Sequence, residues 1–222
     1  MTVKADYRDQ TGIFDPSDFT WPIHVIGLGG IGSALLPPLF KLGFNGELHI
    51  WDEDAVEPHN IPAQLLYRGS DVGLKKADAV IGFAERQEAE CSITPHYEFV
   101  TPETGLDGIV ISGVDSMVSR KAIWEAVSAN NYLIPLYMDG RIGGEQLQLL
   151  TVNPSDYDAI SAYEAWLISD EQGAQLPCAE RTVIHPPTIL AGLMISALTL
   201  FAREITPKAN IMMHAKNVDL VS

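Results

Sequence analysis

Short apolar runs that end in glycine or an acid alternate, along most of this chain, with segments of helical period. Ile23 to Leu28 reads as a strand running into the turn Gly27-Leu28-Gly29-Gly30-Ile31-Gly32, and Ile31 to Leu42 as a helix closed by Gly43. Pro37 and Pro38 fall inside that helix and are expected to kink it or shorten a turn, since proline has no backbone donor. Glu47 to Trp51 predicts a second strand, followed by the acidic loop from Asp52 to Asn60 and a short helix opening at Pro62. A helix is predicted over Leu74 to Glu88, strands over Ile93 to Val100 and Gly108 to Ser112, a helix over Met117 to Asn130 and a strand over Tyr132 to Met138.

These repeated β/α units predict an α/β fold, Rossmann-like and doubly wound, with a mostly parallel sheet covered by helices on both faces. Beyond Asp139 the pattern changes. Glu145 to Val152 reads as a strand able to pair antiparallel, Tyr157 to Ile168 as an amphipathic helix, and Ile211 to Leu220 as an edge strand. The weak periodicity of Ser169 to Arg181 predicts a mobile crossover loop, and Pro187 to Arg203 a helix apolar nearly all round, hence deeply buried or at a subunit interface. Residues 1–222 read as one domain, with 1–21 as an N-terminal extension.

Composition narrows the choice of partners. With 46% hydrophobic residues the chain can bury a sizeable core, while a net charge of -15 disfavours nucleic acid or an anionic membrane, so any anionic ligand must be held locally. The first 21 residues lack the apolar core of a secretory signal, and Ile189 to Ala202 is too short to span a bilayer, from which a cytoplasmic location is expected. The two cysteines, Cys91 and Cys178, form no CxxC, so no structural zinc is expected.

The glycine turn lies between a strand and a helix, where backbone N–H groups and the helix dipole hold phosphate, with Gly27, Gly29 and Gly30 as the candidate cradle. Asp52 ends the next strand, where a carboxylate accepts hydrogen bonds from ribose hydroxyls or caps a turn. Those features alone describe an NAD(P)-dependent oxidoreductase as well as an ATP enzyme. Asp54 either touches ligand or orients its loop. Asn60 and Gln64, four apart, share a face if a helix opens at Pro62, for nucleotide contact or for capping. Asp115 follows a strand end, where a carboxylate suits Mg²⁺ on a phosphate or, like Ser116, caps the next helix.

The run Asp52-Glu53-Asp54-Ala55-Val56, then Asn60, Gln64, Val72-Gly73 and Lys76, resembles the ThiF/MoeB and ubiquitin-activating family pattern D-x-D-x-V, N-x-x-R-Q and V-G-x-x-K. Leu42-Gly43-Phe44 and Val114-Asp115-Ser116 also look like that family, and the resemblance covers Ile23 to Arg141 well and Cys178 to Phe201 more loosely. It implies an ATP- and Mg²⁺-dependent adenylyltransferase acting on the C-terminal carboxylate of a small ubiquitin-like or sulfur-carrier protein with a Gly-ending tail. Gly29 and Gly30 would approach the phosphates, Asp52 would hold ribose, Asn60 and Gln64 would face nucleotide, Lys76 (or adjacent Lys75) would neutralise the phosphates, and Asp115 would hold Mg²⁺. The resemblance also implies a homodimer and, further on, a conjugating protein as partner.

The chain departs from the pattern at Ala63, where the family has the arginine of N-x-x-R-Q. Arg68 or Arg8 are candidates to replace it, Arg8 also being the one candidate for an arginine supplied across a dimer. The gap keeps open a catalytically weak nucleotide- or protein-binding member. Pro177-Cys178-Ala179-Glu180-Arg181 resembles a P-C-x-x-R stretch of compact ThiF-like proteins. Cys178 there either takes the acyl group as a thioester or is inert, and Cys91 reads as structural.

Overall fold

The computed structural model describes residues 5–167 and 183–216 and the backbone of 219–221. The strands are β1 (Ile23–Ile26), β2 (Glu47–Trp51), β3 (Ser92–His96), β4 (Ile109–Ser112), β5 (Leu136–Gly143), β6 (Gln146–Val152), β7 (Asn210–His214) and β8 (Asp219–Val221). The helices are α1 (Gly30–Lys41), α2 (Lys76–Arg86), α3 (Met117–Ala129), α4 (Tyr157–Glu164) and α5 (His185–Ala202). All eight strands join one sheet in the order β3-β2-β1-β4-β5-β6-β7-β8, parallel from β3 through β5 and antiparallel from β5 to β8.

Alternation along each strand sorts the core into two layers. Ile109 and Ile111 of β4, with Ile23, Val25, Leu48 and Ile50, face a layer built from α1, α2 and α5. Val110, Ile26, Tyr137 and Val152 point the other way, to Ile123, Trp124 and Val127 of α3 and Tyr163 of α4. Helix α5 packs against α1 and over β5 and β6 so closely that a side chain on Gly140 would stand 2.4 Å from Met194 Cε. At eighteen residues α5 is longer than the apolar stretch read from sequence, and by length and hydropathy alone it reaches the measure of a membrane span. Its Leu190, Ala191, Met194, Ala197 and Leu198 are core residues nonetheless.

Several boundaries move for physical reasons. Pro37 and Pro38 leave α1 as twelve continuous helical residues. The chain near Pro62 forms a 3-10 turn at Pro58–Asn60, yet Gln64 N still donates to Asn60 O at 2.8 Å, so one helical turn keeps the two amides together. Strand β3 stops at His96, four residues early. Strand β5 starts after Pro135 and runs five residues beyond Met138, because the buried polar groups of Asp139 and Arg141 find partners within the fold. The predicted mobile loop at Ser169 to Arg181, and Cys178 with it, lie outside the described residues.

On β1, three residues before the glycine turn, His24 is buried between Asp107, whose Oδ1 is 3.0 Å from Nε2, and Trp51, whose Nε1 donates to Nδ1 at 3.2 Å. Burial pulls its pKa down to about 4, the Asp107 hydrogen bond opposing this and His49 adding to it. The unfolded chain therefore binds a proton near the ordinary value of 6.5 that the folded chain refuses. We expect stability to be complete above pH 6.5 and to fall, by an amount of order 3 kcal/mol, as pH drops toward 4. Urea unfolding across that range checks this, and His24→Gln, which keeps one donor and one acceptor, should show a shallower acid slope.

Candidate active site

Strand β1 lies between β2 and β4, and the chain leaves β1 into α1 on one face and β4 into α3 on the other. This divergence opens a crevice at the C-terminal ends of the strands, where open α/β sheets bind ligands. A cavity of about 850 Å³ fills it, reaching from Trp51 at β2 to Gly144 beyond β5.

The glycine turn forms its floor. Gly27 has φ +88°, a backbone shape that L side chains rarely take, and a Cβ on Gly32 would lie 2.1 Å from Gly27 O, so these two glycines serve the turn itself. Gly29 differs, for a Cβ there would meet nothing within 4 Å. The space it leaves belongs to the cavity. Asp52 Oδ2 accepts from Leu28 N at 2.8 Å and the buried Tyr67 hydroxyl donates to Leu28 O at 2.8 Å, so the turn is held at both backbone atoms of one residue. Burial raises the Tyr67 pKa, with Asp52 and Asp54 adding to it, which keeps that hydroxyl a donor.

The two sequence runs around Asp52 and Lys76 meet as a short antiparallel pair. Gly73 N donates to Val56 O, Val56 N to Leu74 O and Lys76 N to Asp54 O, at 2.8 to 3.0 Å. This seats the buried Lys76 ammonium 2.7 Å from Asp54 and 3.4 Å from Asp52. Lys75 instead donates to Glu53 O and does not line the cavity. Asp54 thus orients Lys76 through its side chain while remaining at the cavity wall.

Asn60 and Gln64 both line the cavity and are buried. Asn60 Oδ1 caps its own turn by accepting from Glu57 N at 2.8 Å, while Gln64 Oε1 is buried without a hydrogen-bond partner among the described residues. Such an acceptor costs about 1–3 kcal/mol unless a ligand donor meets it. Ser116, not Asp115, caps α3, since its hydroxyl accepts from Ser119 N at 3.0 Å. Asp115 is exposed at the cavity wall and engages in no hydrogen bond or ion pair among the described residues.

Neither proposed replacement for the missing arginine lines the cavity: Arg68 sits at Asp71, and the exposed Arg8 pairs with Asp6. Two arginines that the sequence reading passed over do line it, Arg120 of α3 and Arg141 of β5. Both bind the fully buried Asp139, Arg120 Nε at Oδ1 and Arg141 Nε at Oδ2, each at 2.8 Å. Arg120 also donates to Val114 O at 2.7 Å and Gly140 O at 3.2 Å, clamping the turn that carries Asp115 to strand β5. Burial works to lower its pKa, but Asp139 leaves it raised. Tyr163 completes the group by donating to Asp139 Oδ2 at 3.0 Å, its own pKa raised by burial and then by Tyr137. The one available signal was an acid flanked by apolar strand residues at Met138-Asp139, which demands a buried cation.

Cys91 is half-buried, and burial pushes its thiol up to about 11, unsuited to nucleophilic work. Among the described residues no group of three or more His, Cys, Asp or Glu side chains is arranged to hold a metal by itself.

A family model described as the ThiF family matches residues 20–218. The chain belongs to the ThiF family. Its sequence is 36% identical over 105 residues to the Nedd8-activating enzyme E1 catalytic subunit of Drosophila melanogaster, covering 46% of this chain and 23% of that protein. It is 29% identical over 150 residues to the tRNA threonylcarbamoyladenosine dehydratase of Escherichia coli, covering 63% of this chain and 55% of that protein. Thus the chain spans from about a quarter to about a half of the length of these two relatives. In fold it is similar to the microcin C7 biosynthetic enzyme MccB in complex with N-formylated MccA, at TM-score 0.74 and 16% identity, over 93% of this chain and 65% of that one. A structure of E. coli MccB with ATP matches at TM-score 0.72 and 16% identity, covering 93% and 64%.

Breaking the buried charge group has a defined cost. Asp139→Ala leaves two guanidiniums facing each other in the core, and we expect it to lower the free energy of unfolding by about 3–5 kcal/mol in urea titrations.

Proposed function

We propose that this ThiF-family chain adenylates the C-terminal carboxylate of a small ubiquitin-like or sulfur-carrier protein, using ATP and Mg²⁺. The observation that carries the reading is the placement of an uncommitted carboxylate, Asp115, across the β1/β4 crevice from the open cradle at Gly29. A dinucleotide oxidoreductase has no use for it. An adenylating enzyme needs a metal beside the phosphates, and one carboxylate with phosphate oxygens and water is a donor set that suits Mg²⁺. Names of relatives support the substrate class: besides the Nedd8-activating subunit, a SAMP-activating enzyme E1 of Haloferax volcanii is 34% identical over 73 residues, 33% of this chain and 27% of that protein.

In this reading Asp52 accepts from the ribose, Gln64 Oε1 accepts from a nucleotide donor, and the amides of Gly29 and Gly30 meet the phosphates. Asp115 would hold the Mg²⁺, which when bound would supply positive charge to the phosphate oxygens. A carboxylate oxygen of the partner attacks the α-phosphorus, the bond from α-phosphorus to the α/β bridging oxygen breaks, and pyrophosphate leaves with that electron pair. No proton moves, so the chain acts through position and charge. Lys76, oriented by Asp54, supplies the cation on the side of the departing pyrophosphate.

A thioester step through Cys178 forms the second part of the proposal, resting on the Pro177-to-Arg181 sequence, as does a cytoplasmic homodimer associating through the outer side of α5. Magnesium-dependent ATP binding tests the core of it. Calorimetry is expected to show ATP binding with no NAD binding, and Asp115→Ala should weaken MgATP by about tenfold or more; NAD binding indifferent to Asp115 would overturn the reading. With a cognate partner, Cys178→Ala is expected to release pyrophosphate normally and to lose any thiol-labile adduct, while an adduct surviving the substitution removes the second step.

A further inference from the structure

The cavity is electrically lopsided. Toward β2, the one ammonium of Lys76 is matched by two carboxylates, Asp52 and Asp54. Toward β5, the two guanidiniums of Arg120 and Arg141 share the single carboxylate of Asp139, leaving one positive charge unmatched in that group. Arg120 is buried and commits Nε to Asp139 and Nη2 to Val114 O and Gly140 O. Arg141 is half-buried at the cavity wall: Nε donates to Asp139 and Nη1 to Trp166 O, while Nη2 stands 2.8 Å from Asp139 Oδ2 as an ion pair without an aligned hydrogen bond among the described residues. Tyr163 holds the group from one side, its ring centroid 5.9 Å from the Arg141 guanidinium carbon.

We propose that Arg141, fixed by Asp139 and Tyr163, receives the attacking carboxylate of the partner's tail. This rests on the adenylation reading above and names the residue that orients its second substrate. Displacement at a phosphoryl centre places the entering and leaving oxygens roughly in line. With ribose at Asp52 and pyrophosphate departing on the Lys76 side, the entering carboxylate comes from the β5 side, where Arg141 stands. Gly143 and Gly144 line that same end of the cavity, leaving room for an extended chain to reach it. A planar guanidinium locked at Nε pairs with an oxyanion without losing much side-chain freedom. Arg141 is a substrate-touching residue in this scheme, and Asp139 acts through it as a positioning residue.

The test uses three probes on the whole chain, namely MgATP, AMP and glycylglycyl-sulfamoyl-adenosine, a stable mimic of the acyl adenylate that carries the tail's last carbonyl. Wild type should bind the acyl mimic more tightly than AMP. Arg141→Gln should weaken the mimic by about tenfold and leave MgATP and AMP within about twofold, as expected for loss of one charge-assisted hydrogen bond. Arg120 still neutralises Asp139 in that variant, so a folded protein is expected, as thermal melting will show. Arg141→Lys keeps the charge without the planar fork; it should give a smaller loss of the same selectivity, and carries the test if the glutamine variant melts early. Unchanged binding of the mimic overturns the proposal, and so does a loss confined to MgATP, which would put Arg141 at the pyrophosphate. A wild type that binds neither MgATP nor AMP would instead sink the adenylation reading itself, and this inference with it.

Discussion

Everything at the candidate site follows from the divergence of the chain at the centre of the parallel sheet. Five parallel strands need cover on both faces, and the chain supplies it by sending α1 and α3 to opposite sides of the neighbouring strands β1 and β4. Their loops cannot close over each other, so the crevice between them stays open. The glycine turn, Asp52, Lys76 and Asp115 are remote in sequence but share this one edge because parallel strands present all their C-terminal ends together.

The charges on this edge are arranged within a chain whose net charge is -15. A protein so acidic repels a polyphosphate at long range, so binding has to come from backbone amides, helix α1 and a few buried cations. Burial makes those cations dependent on their acids. Lys76 lies between Asp52 and Asp54, and Arg120 and Arg141 converge on Asp139, because an unpaired charge in either place would be expelled or neutralised. The acids therefore hold structure: Asp52 pins Leu28 in the turn, and Asp139 joins β5 to α3 and so sets where Asp115 stands.

The contrast between sequence and structure is clearest in strand β5. Local periodicity ends it at Met138, since Asp139, Gly140 and Arg141 look like a loop when read one after another. The observed strand continues through them because partners far along the chain satisfy their polar groups: Arg120 and Tyr163 for Asp139, and Arg120 again for the Gly140 carbonyl. The antiparallel β5–β6 pair then completes the ladder. In α1 the helix runs on through Pro37 and Pro38, where burial of Leu35, Leu36, Leu39 and Phe40 supports it across two missing donors.

Sequence by itself determined the α/β alternation, the glycine turn after β1 and the grouping of Asp52, Asn60, Gln64 and Lys76, because each rests on local spacing, and local spacing is written directly in the residue order. Tertiary structure alone decided that Lys76 rather than Lys75 faces the cavity, that Ser116 leaves Asp115 uncommitted, and that Arg120 and Arg141 come together on Asp139. Those outcomes depend on which buried charge finds which partner across strands up to 24 positions apart, and no periodicity records that choice.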